Sequence, residues 1–286
     1  MKDQFEKLAE IVQKTKIDIK FTIAEIGAKP LDNENSKPRF YKILDYFPSS
    51  EIIGFDIKKE VCEEMNLKAS KGIKYYPYAL GKKNEKRKLY ITEHPMCTSL
   101  YKPNEELSKL YNNLHYMNLK EETEIETITL DTFAEQNLVK EIDFIKIDVQ
   151  GAELDVFKGS EKLLNKVLKI ICEVEFIPLY KDQPLYGDIS NFLNKYNFMF
   201  NRFLKLSGRT LKPLIANKDP NVASQHMWTD AIFIKNVESI HNLNDEKLLK
   251  LSLLSAIYNS LDLTFFCLSI YDKKNSTTLA NDWMHK

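Results

Sequence analysis

Glycine is scarce in this chain: there are eight in 286 residues, and no two of them build a G-x-G-x-x-G turn. A dinucleotide-binding turn needs such glycines to bring backbone close to a pyrophosphate, so the shortage counts against one. Net charge is also missing, with 41 Lys+Arg balanced by 41 Asp+Glu. No global field draws the protein to nucleic acid or to an anionic membrane. The local run Lys82, Lys83, Lys86, Arg87, Lys88 lacks the interleaved aromatics that stack bases and reads as a solvated hairpin turn. The four cysteines, Cys62, Cys97, Cys172 and Cys267, form no C-x-x-C pair, and Cys172 lies in an apolar run as a reduced core residue. No apolar stretch approaches the roughly 20 residues that span a bilayer, and the charged N-terminal segment has no signal-peptide core. No repeats or low-complexity tracts occur. The chain is expected to be cytoplasmic, without nucleic-acid partners and without a membrane span.

What is present is alternation. Hydrophobic residues make up 43% of the chain, enough for a sizeable core in one large domain or a domain with an appendage. Residues 142–149, with β-branched Ile142, Ile145, Ile147 and Val149, read as a buried central strand ended by a turn at Gln150-Gly151. Further strands are expected over residues 21–26, 51–56, 73–80, 168–176, 198–206 and 229–235. Helices are expected near residues 4–15, 39–46, 57–65, 130–137, 153–165 and 189–196. Residues 86–92 and 124–129 alternate like an antiparallel pair beside the main sheet. This order predicts an α/β fold: an open, mostly parallel twisted sheet with helices on both faces. Residues 245–272 read as a helical hairpin broken near residues 260–262. Its apolar content exceeds what an exposed hairpin carries, so it packs on the core or on a second copy, which would make a homodimer. The division expected is a domain over residues 1–240 and a helical C-terminal extension over 241–286.

Three carboxylates fall at or near the ends of proposed strands: Glu25, Asp56 and Asp148. Parallel strands place such residues on one rim, where ligands bind beyond the carboxyl ends. The first turn, Gly27-Ala28-Lys29-Pro30, has one glycine and a proline without an N–H donor, a poor phosphate cradle. S-adenosylmethionine has no phosphate and presents a sulfonium, an ammonium and a ribose diol. Glu25 near the ammonium and Asp56 on the ribose would answer those groups.

These segments resemble the FkbM-type methyltransferases, a branch of the Rossmann-like class I S-adenosylmethionine-dependent fold. The matching segments are E-I-G-A (25–28), I-G-F-D-I (53–57), Y-A-L-G (78–81), T-S-L (98–100) and E-T-I-T-L-D-T-F (126–133). D-F-I-K-I-D-V-Q-G-A-E (143–153), E-V-E-F-I-P-L-Y (173–180) and W-T-D-A-I-F-I (228–234) follow in the same order. The turn after Ala28 departs from the G-A-N-x-G of most relatives, and its loop offers Asn33, Asn35 or Tyr41 to the methionine end of a donor. The resemblance implies a donor site built from Glu25, Gly27, Ala28, Asp56, Ile57, Ala79, Leu80, Asp148, Val149 and Gln150. It also implies methyl transfer to a hydroxyl of a sugar, glycan or secondary metabolite.

Such a transfer needs in-line alignment and a base for the hydroxyl proton. Asp148, Glu175 and His226 are the catalytic candidates, with Glu153, Glu173 and Asp230 near them in sequence. Glu173 and Glu175 alternate on one strand and share a face. A divalent metal held by Asp148, Glu175 and His226 is the less favoured route, because no H-x-x-x-H or D-x-D spacing demands it. Tyr180, Pro184 and Tyr186 are offered as aromatic walls for an acceptor. The competing readings are a nicotinamide-dependent oxidoreductase on the same sheet and a non-catalytic S-adenosylmethionine-binding module.

Overall fold

The computed structural model describes residues 3–28, 37–215 and 218–285. Among these, seven strands form the main sheet: β1 (Thr22–Ile26), β2 (Glu51–Asp56), β3 (Ile73–Pro77), β7 (Phe144–Ile147), β8 (Lys169–Glu175), β9 (Phe198–Phe203) and β10 (Trp228–Lys235). Their spatial order is β3-β2-β1-β7-β8-β10-β9. All neighbours are parallel except β10, which runs antiparallel to both β8 and β9. The central strands are near-continuous apolar runs because both faces are covered. Every residue of β1 is buried, as are Phe144, Ile145 and Ile147 of β7.

One face is covered by α5 (Leu130–Gln136), α6 (Glu153–Lys158), α7 (Glu161–Leu164) and α8 (Tyr186–Asn194). Phe133, Phe157, Leu164 and Leu193 from these helices join Ile145, Ile170 and Phe233 in one buried cluster. The other face lies under α1 (Gln4–Val12) and the C-terminal helices α9 (Asp245–Ile257), α10 (Leu261–Asn275) and α11 (Leu279–His285). Leu248, Leu251 and Leu254 pack there with Phe144, Ile171 and Ile232. Two further short helices, α2 (Ile43–Tyr46) and α3 (Lys59–Lys68), complete the β1–β3 side, and α4 (Glu105–Ser108) lies in the long connection before the second strand of the hairpin.

The C-terminal segment therefore packs on the core of its own chain. It forms three helices where the sequence suggests a hairpin, because Ser276 takes a left-handed conformation (φ 53°) and turns the chain into α11. Trp283 of α11, 1% exposed, donates its indole N–H to Gln4 O at 3.0 Å, closing the two chain ends together. Polar groups also reach the buried end of α9. Tyr258 N–H bonds to Ser255 and Ala256, so the Leu254 carbonyl accepts from Lys169 Nζ instead, at 3.0 Å. The Arg202 guanidinium donates to Tyr258 O. Both are cations placed where a helix end concentrates negative charge.

A second sheet of three strands, β4 (Ala79–Leu80), β6 (Leu119–Ile128) and β5 (Glu85–Thr92), stands beside the first. β5 and β6 are antiparallel, as their alternation predicts. The expected strand over 73–80 divides instead: β3 ends at Pro77, and β4 leaves to pair with β6. The expected helix over 153–165 breaks at Gly159, where an added Cβ would lie 2.1 Å from Gly81 O. Arg87 of β5 ties this small sheet to α6 through Asp155, at 3.1 Å.

Candidate active site

Two cavities open at the carboxyl ends of the parallel strands, where this class of sheet places its ligands. The first, about 290 Å³, is lined by Gly27, Ala28, Asp56, Ile57, Ala79, Leu80, Asp148, Val149 and Gln150, with the Thr98–Leu100 segment as a further wall. The second, about 580 Å³, is lined by His94, Tyr116, Asp148, Gln150, Glu173, Glu175, Arg209 and Trp228, among others. They share Met96, Asp148 and Gln150.

The floor between them follows from the turn after β1. Gly27 has φ +78°, and a Cβ there would sit 1.9 Å from Asp148 O, so only glycine lets the β1 turn lie against the end of β7. Gly27 and Ala28 both donate their N–H groups to Phe55 O, at 3.1 and 2.9 Å. These amides are occupied and offer nothing to a pyrophosphate. Asp56, at the end of β2, takes the Lys58 N–H at 2.8 Å and keeps its carboxylate at the first cavity. Burial raises its carboxyl above the usual range.

Glu25 is placed differently from the other strand-end acids. It is 6% exposed, accepts from Tyr41 Oη at 2.6 Å, and lines neither cavity. Tyr41 in turn lies 2.8 Å from the Tyr75 hydroxyl. Tyr75 reaches across Gly54, where a Cβ would meet its ring at 2.2 Å. Glu25 and Tyr41 thus belong to a buried network behind the strand ends. Asn33 and Asn35 lie outside the described residues.

Around Asp148 the second cavity gathers acid. Glu153, the first residue of α6 and 0% exposed, accepts Val149 N–H through Oε1 at 2.8 Å. Glu173 lies on β8, and Gln150 Nε2 donates to it at 2.6 Å and to Asp148 Oδ1 at 2.7 Å. Gln150 holds φ +57°, and its position is fixed by Ser99 Oγ, which donates to its carbonyl at 2.6 Å. Glu175, 2% exposed, has its Oε2 buried without a hydrogen bond, as does Glu153 Oε2. Burial, reinforced by the neighbouring acids, pushes the Glu153 carboxyl up to about 7 and raises Glu173 and Glu175 well above their ordinary range. Lys146 pairs with Asp230 at 2.9 Å, and its charge also acts on Asp148 and Glu173.

Of the other candidates, His226 is exposed in the loop before β10 and lines neither cavity. The histidine on the second cavity is His94. Tyr180 is buried and donates towards Cys97 O (2.9 Å) and Gln150 Oε1 (3.1 Å), bracing the turn. Tyr186 packs among Phe176, Phe200 and Phe203 as core. The aromatic walls of the second cavity are Tyr116 and Trp228, the latter beneath the Arg209 guanidinium at 4.8 Å. Sequence reasoning passed over Arg209 and Tyr116, and no local pattern marks them. Glu153 and Glu173 carried a signal, their nearness to Asp148 and Glu175 in sequence.

The family model of the methyltransferase FkbM domain matches residues 25–200. The chain belongs to this methyltransferase family. The matched span runs from the end of β1 to β9 and includes Asp56, Asp148, Gln150, Glu153, Glu173 and Glu175. No curated protein matches the chain. Among solved structures, a candidate methyltransferase from Thermoplasma acidophilum is 8% identical, covering 77% of this chain and 70% of its own, with a TM-score of 0.33. An uncharacterized protein from Listeria monocytogenes serotype 4b is 9% identical over 99% of both chains, at 0.35. A fibrillarin/Nop5p complex is 12% identical over 80% and 81%, at 0.31. These overlaps are too loose to bear on the chemistry. Among the described residues, no helix is long and apolar enough to cross a membrane.

Proposed function

We propose that this methyltransferase is an S-adenosylmethionine-dependent O-methyltransferase, with donor in the first cavity and a sugar, glycan or secondary-metabolite hydroxyl in the second. The observation that carries this reading is the junction: two cavities meet at Asp148, Gln150 and Met96, and the carboxylates of half-buried Glu173 and buried Glu175 line only the second. When bound, S-adenosylmethionine supplies a methyl carbon whose bond to sulfur breaks, electron pair to sulfur, as its bond to the acceptor oxygen forms.

The residues of the first cavity fit that donor. Asp56 would accept from the ribose diol, and Ile57, Val61, Ala79, Leu80 and Leu89 supply apolar walls for a base. Asp148 brings negative charge to the junction, which suits a sulfonium. The occupied Gly27 and Ala28 amides disfavour the nicotinamide dinucleotide of an oxidoreductase. On the acceptor side, Glu175, with only the Gln183 amide beside its Oε2, would take the hydroxyl proton. A carboxyl raised by burial is a stronger base than an ordinary one. Tyr116 and Trp228 offer faces to a sugar ring, and Asp148 and Gln150 hold the shared wall. The exposed His226 has no part in this scheme.

Isothermal titration separates the readings. S-adenosylhomocysteine is expected to bind and NAD to show no heat; binding of NAD, or of neither, would overturn the assignment of the first cavity.

A further inference from the structure

The acids of the second cavity outnumber the positive charge available to them. One ligand oxygen from each of Asp148, Glu153 and Glu173 lies within 4.8 Å of the others. Glu175 adds a fourth carboxylate to the same cavity wall. The Gln150 amide and the Val149 N–H orient these carboxylates without cancelling charge, and Lys146, whose charge acts on Asp148 and Glu173, is shared with Asp230. Beyond this proximity, Glu153 Oε2 is buried without a hydrogen bond, and Glu175 Oε2 has only the Gln183 amide beside it. Buried anionic oxygens without partners are costly, and a fold that keeps several together leaves room for a positive ligand.

The geometry points to a divalent-cation site formed by Asp148, Glu153 and Glu173, with Glu175 at its edge, reached from the acceptor cavity through Asp148 and Glu173, which line it. The donor set is all carboxylate oxygen, which selects hard ions such as Mg²⁺, Mn²⁺ or Ca²⁺ over zinc or copper. Two oxygens on one Ca²⁺, each bound at roughly 2.3–2.6 Å, lie at most about 5 Å apart, so the observed spacing admits a single ion without rebuilding the backbone. The ligand set differs from the Asp148, Glu175 and His226 weighed as the less favoured route in the sequence, since Glu153 and Glu173 take the places of Glu175 and His226. The turn at Gln150 explains why: it folds α6 back so that Glu153 faces the end of β7 beside β8.

The site deepens the proposed function and, for its catalytic role, rests on the second cavity holding the acceptor. The ion takes the acceptor hydroxyl as a further ligand and acidifies it. The O–H bond then breaks, the proton passes to Glu175 Oε2, and the electron pair stays on the oxygen that attacks. Glu175 keeps its role as base, and the ion makes its task easier.

Binding is measured on the chelator-treated full chain, with no donor or acceptor present, so that it stands apart from activity. Mn²⁺ followed by electron paramagnetic resonance is expected to bind one per chain, and Mn²⁺, Mg²⁺ or Ca²⁺ to raise Tm by several degrees. Glu173→Gln is expected to weaken Mn²⁺ binding by about tenfold or more. Glu173 lies outside the first cavity, so retained S-adenosylhomocysteine binding in this variant certifies that it is folded. No Mn²⁺ binding by the wild-type chain, or equal binding by a folded Glu173→Gln variant, overturns the site, and the carboxylates then share protons instead. Mn²⁺ binding in a chain that fails to bind S-adenosylhomocysteine would uphold the cation site and sink the donor assignment.

Discussion

The two ends of β7 carry aspartates five residues apart, Asp143 and Asp148, in opposite surroundings. Asp143 is 1% exposed, with Lys250 Nζ 3.1 Å from both of its oxygens and the Thr22 N–H at 2.9 Å. Asp148 stands among Glu153, Glu173 and Glu175, held by a neutral amide. At the first end the fold supplies its own counter-charge, from a helix near the C-terminus. At the second it gathers like charge around a cavity and sets against it Lys146, which Asp230 shares, and Arg209 on the cavity wall. A buried acid held by a lysine of its own fold, which here also pairs with Glu246 at 2.7 Å, is part of the scaffold, whereas a group of acids beside a cavity is a place where the positive partner arrives from outside.

The largest effect should come from removing the helices that serve the first end. Residues 241–286 read in sequence as a helical extension that packs on the core or on a second copy, and α9–α11 cover Phe144, Ile171 and Ile232 and carry the partners of Asp143, Lys169 and Arg202. A chain ending at residue 240 is expected to lose cooperative unfolding altogether. A sharp two-state transition in that truncation, seen by calorimetry, would restore the extension as an independent unit. Next in size is Lys250→Ala, which leaves Asp143 buried and charged at a cost of about 3–5 kcal/mol in urea unfolding. The pair Asp143→Leu with Lys250→Met should recover most of that loss, because it removes both charges together.

At the second end, Asp56→Ala probes ligand binding with little effect on the fold. Its carboxylate is half-buried and accepts a backbone N–H from two residues on. Loss of a charged hydrogen-bond acceptor is worth about 1.5–3 kcal/mol. Affinity for S-adenosylhomocysteine is therefore expected to fall by roughly 10- to 100-fold in titration, with Tm little changed. Equal affinity would remove Asp56 from the site, and a large drop in Tm would make it a scaffold residue like Asp143.

The comparison also shows what a reader of the sequence can and cannot see. The β7 strand, the strand-end position of Asp56 and Asp148, and the alternation of Glu173 with Glu175 all come from local pattern, and local pattern is what periodicity records. Glu25 has the same pattern as Asp56, but its surroundings depend on Tyr41 and Tyr75, which reach it through the packing of separate elements. The walls of the second cavity come from residues 94–117 and 173–228, joined only by tertiary folding. Lys250 looked like one charge on an apolar helix, and only the packed structure makes it the partner of Asp143. His226 was attractive for its chemistry, and chemistry alone could not show that its loop faces solvent.

The smallest effect expected is a pH dependence that belongs to the scaffold end. Lys169 is 0% exposed, its Nζ donates to Leu254 O, and it has Arg202 as a like-charged neighbour. Burial, with a smaller push from Arg202, lowers its pKa from 10.5 in the unfolded chain to about 7. Between those values the unfolded chain holds the extra proton, so unfolding becomes harder as pH rises. Below about 7 both states are protonated and the full penalty of the buried charge applies; above it the penalty is relieved. From pH 7 to 8 the gain should be about 1 kcal/mol, since each full unit is worth at most about 1.4. Lys169→Met removes that gain, so denaturant unfolding of wild type and variant at pH 7 and 8 should differ in slope by about 1 kcal/mol. Parallel profiles would mean that Lys169 stays charged throughout, and that the end of α9, with its free carbonyls, stabilises a buried cation as fully as Lys250 stabilises Asp143.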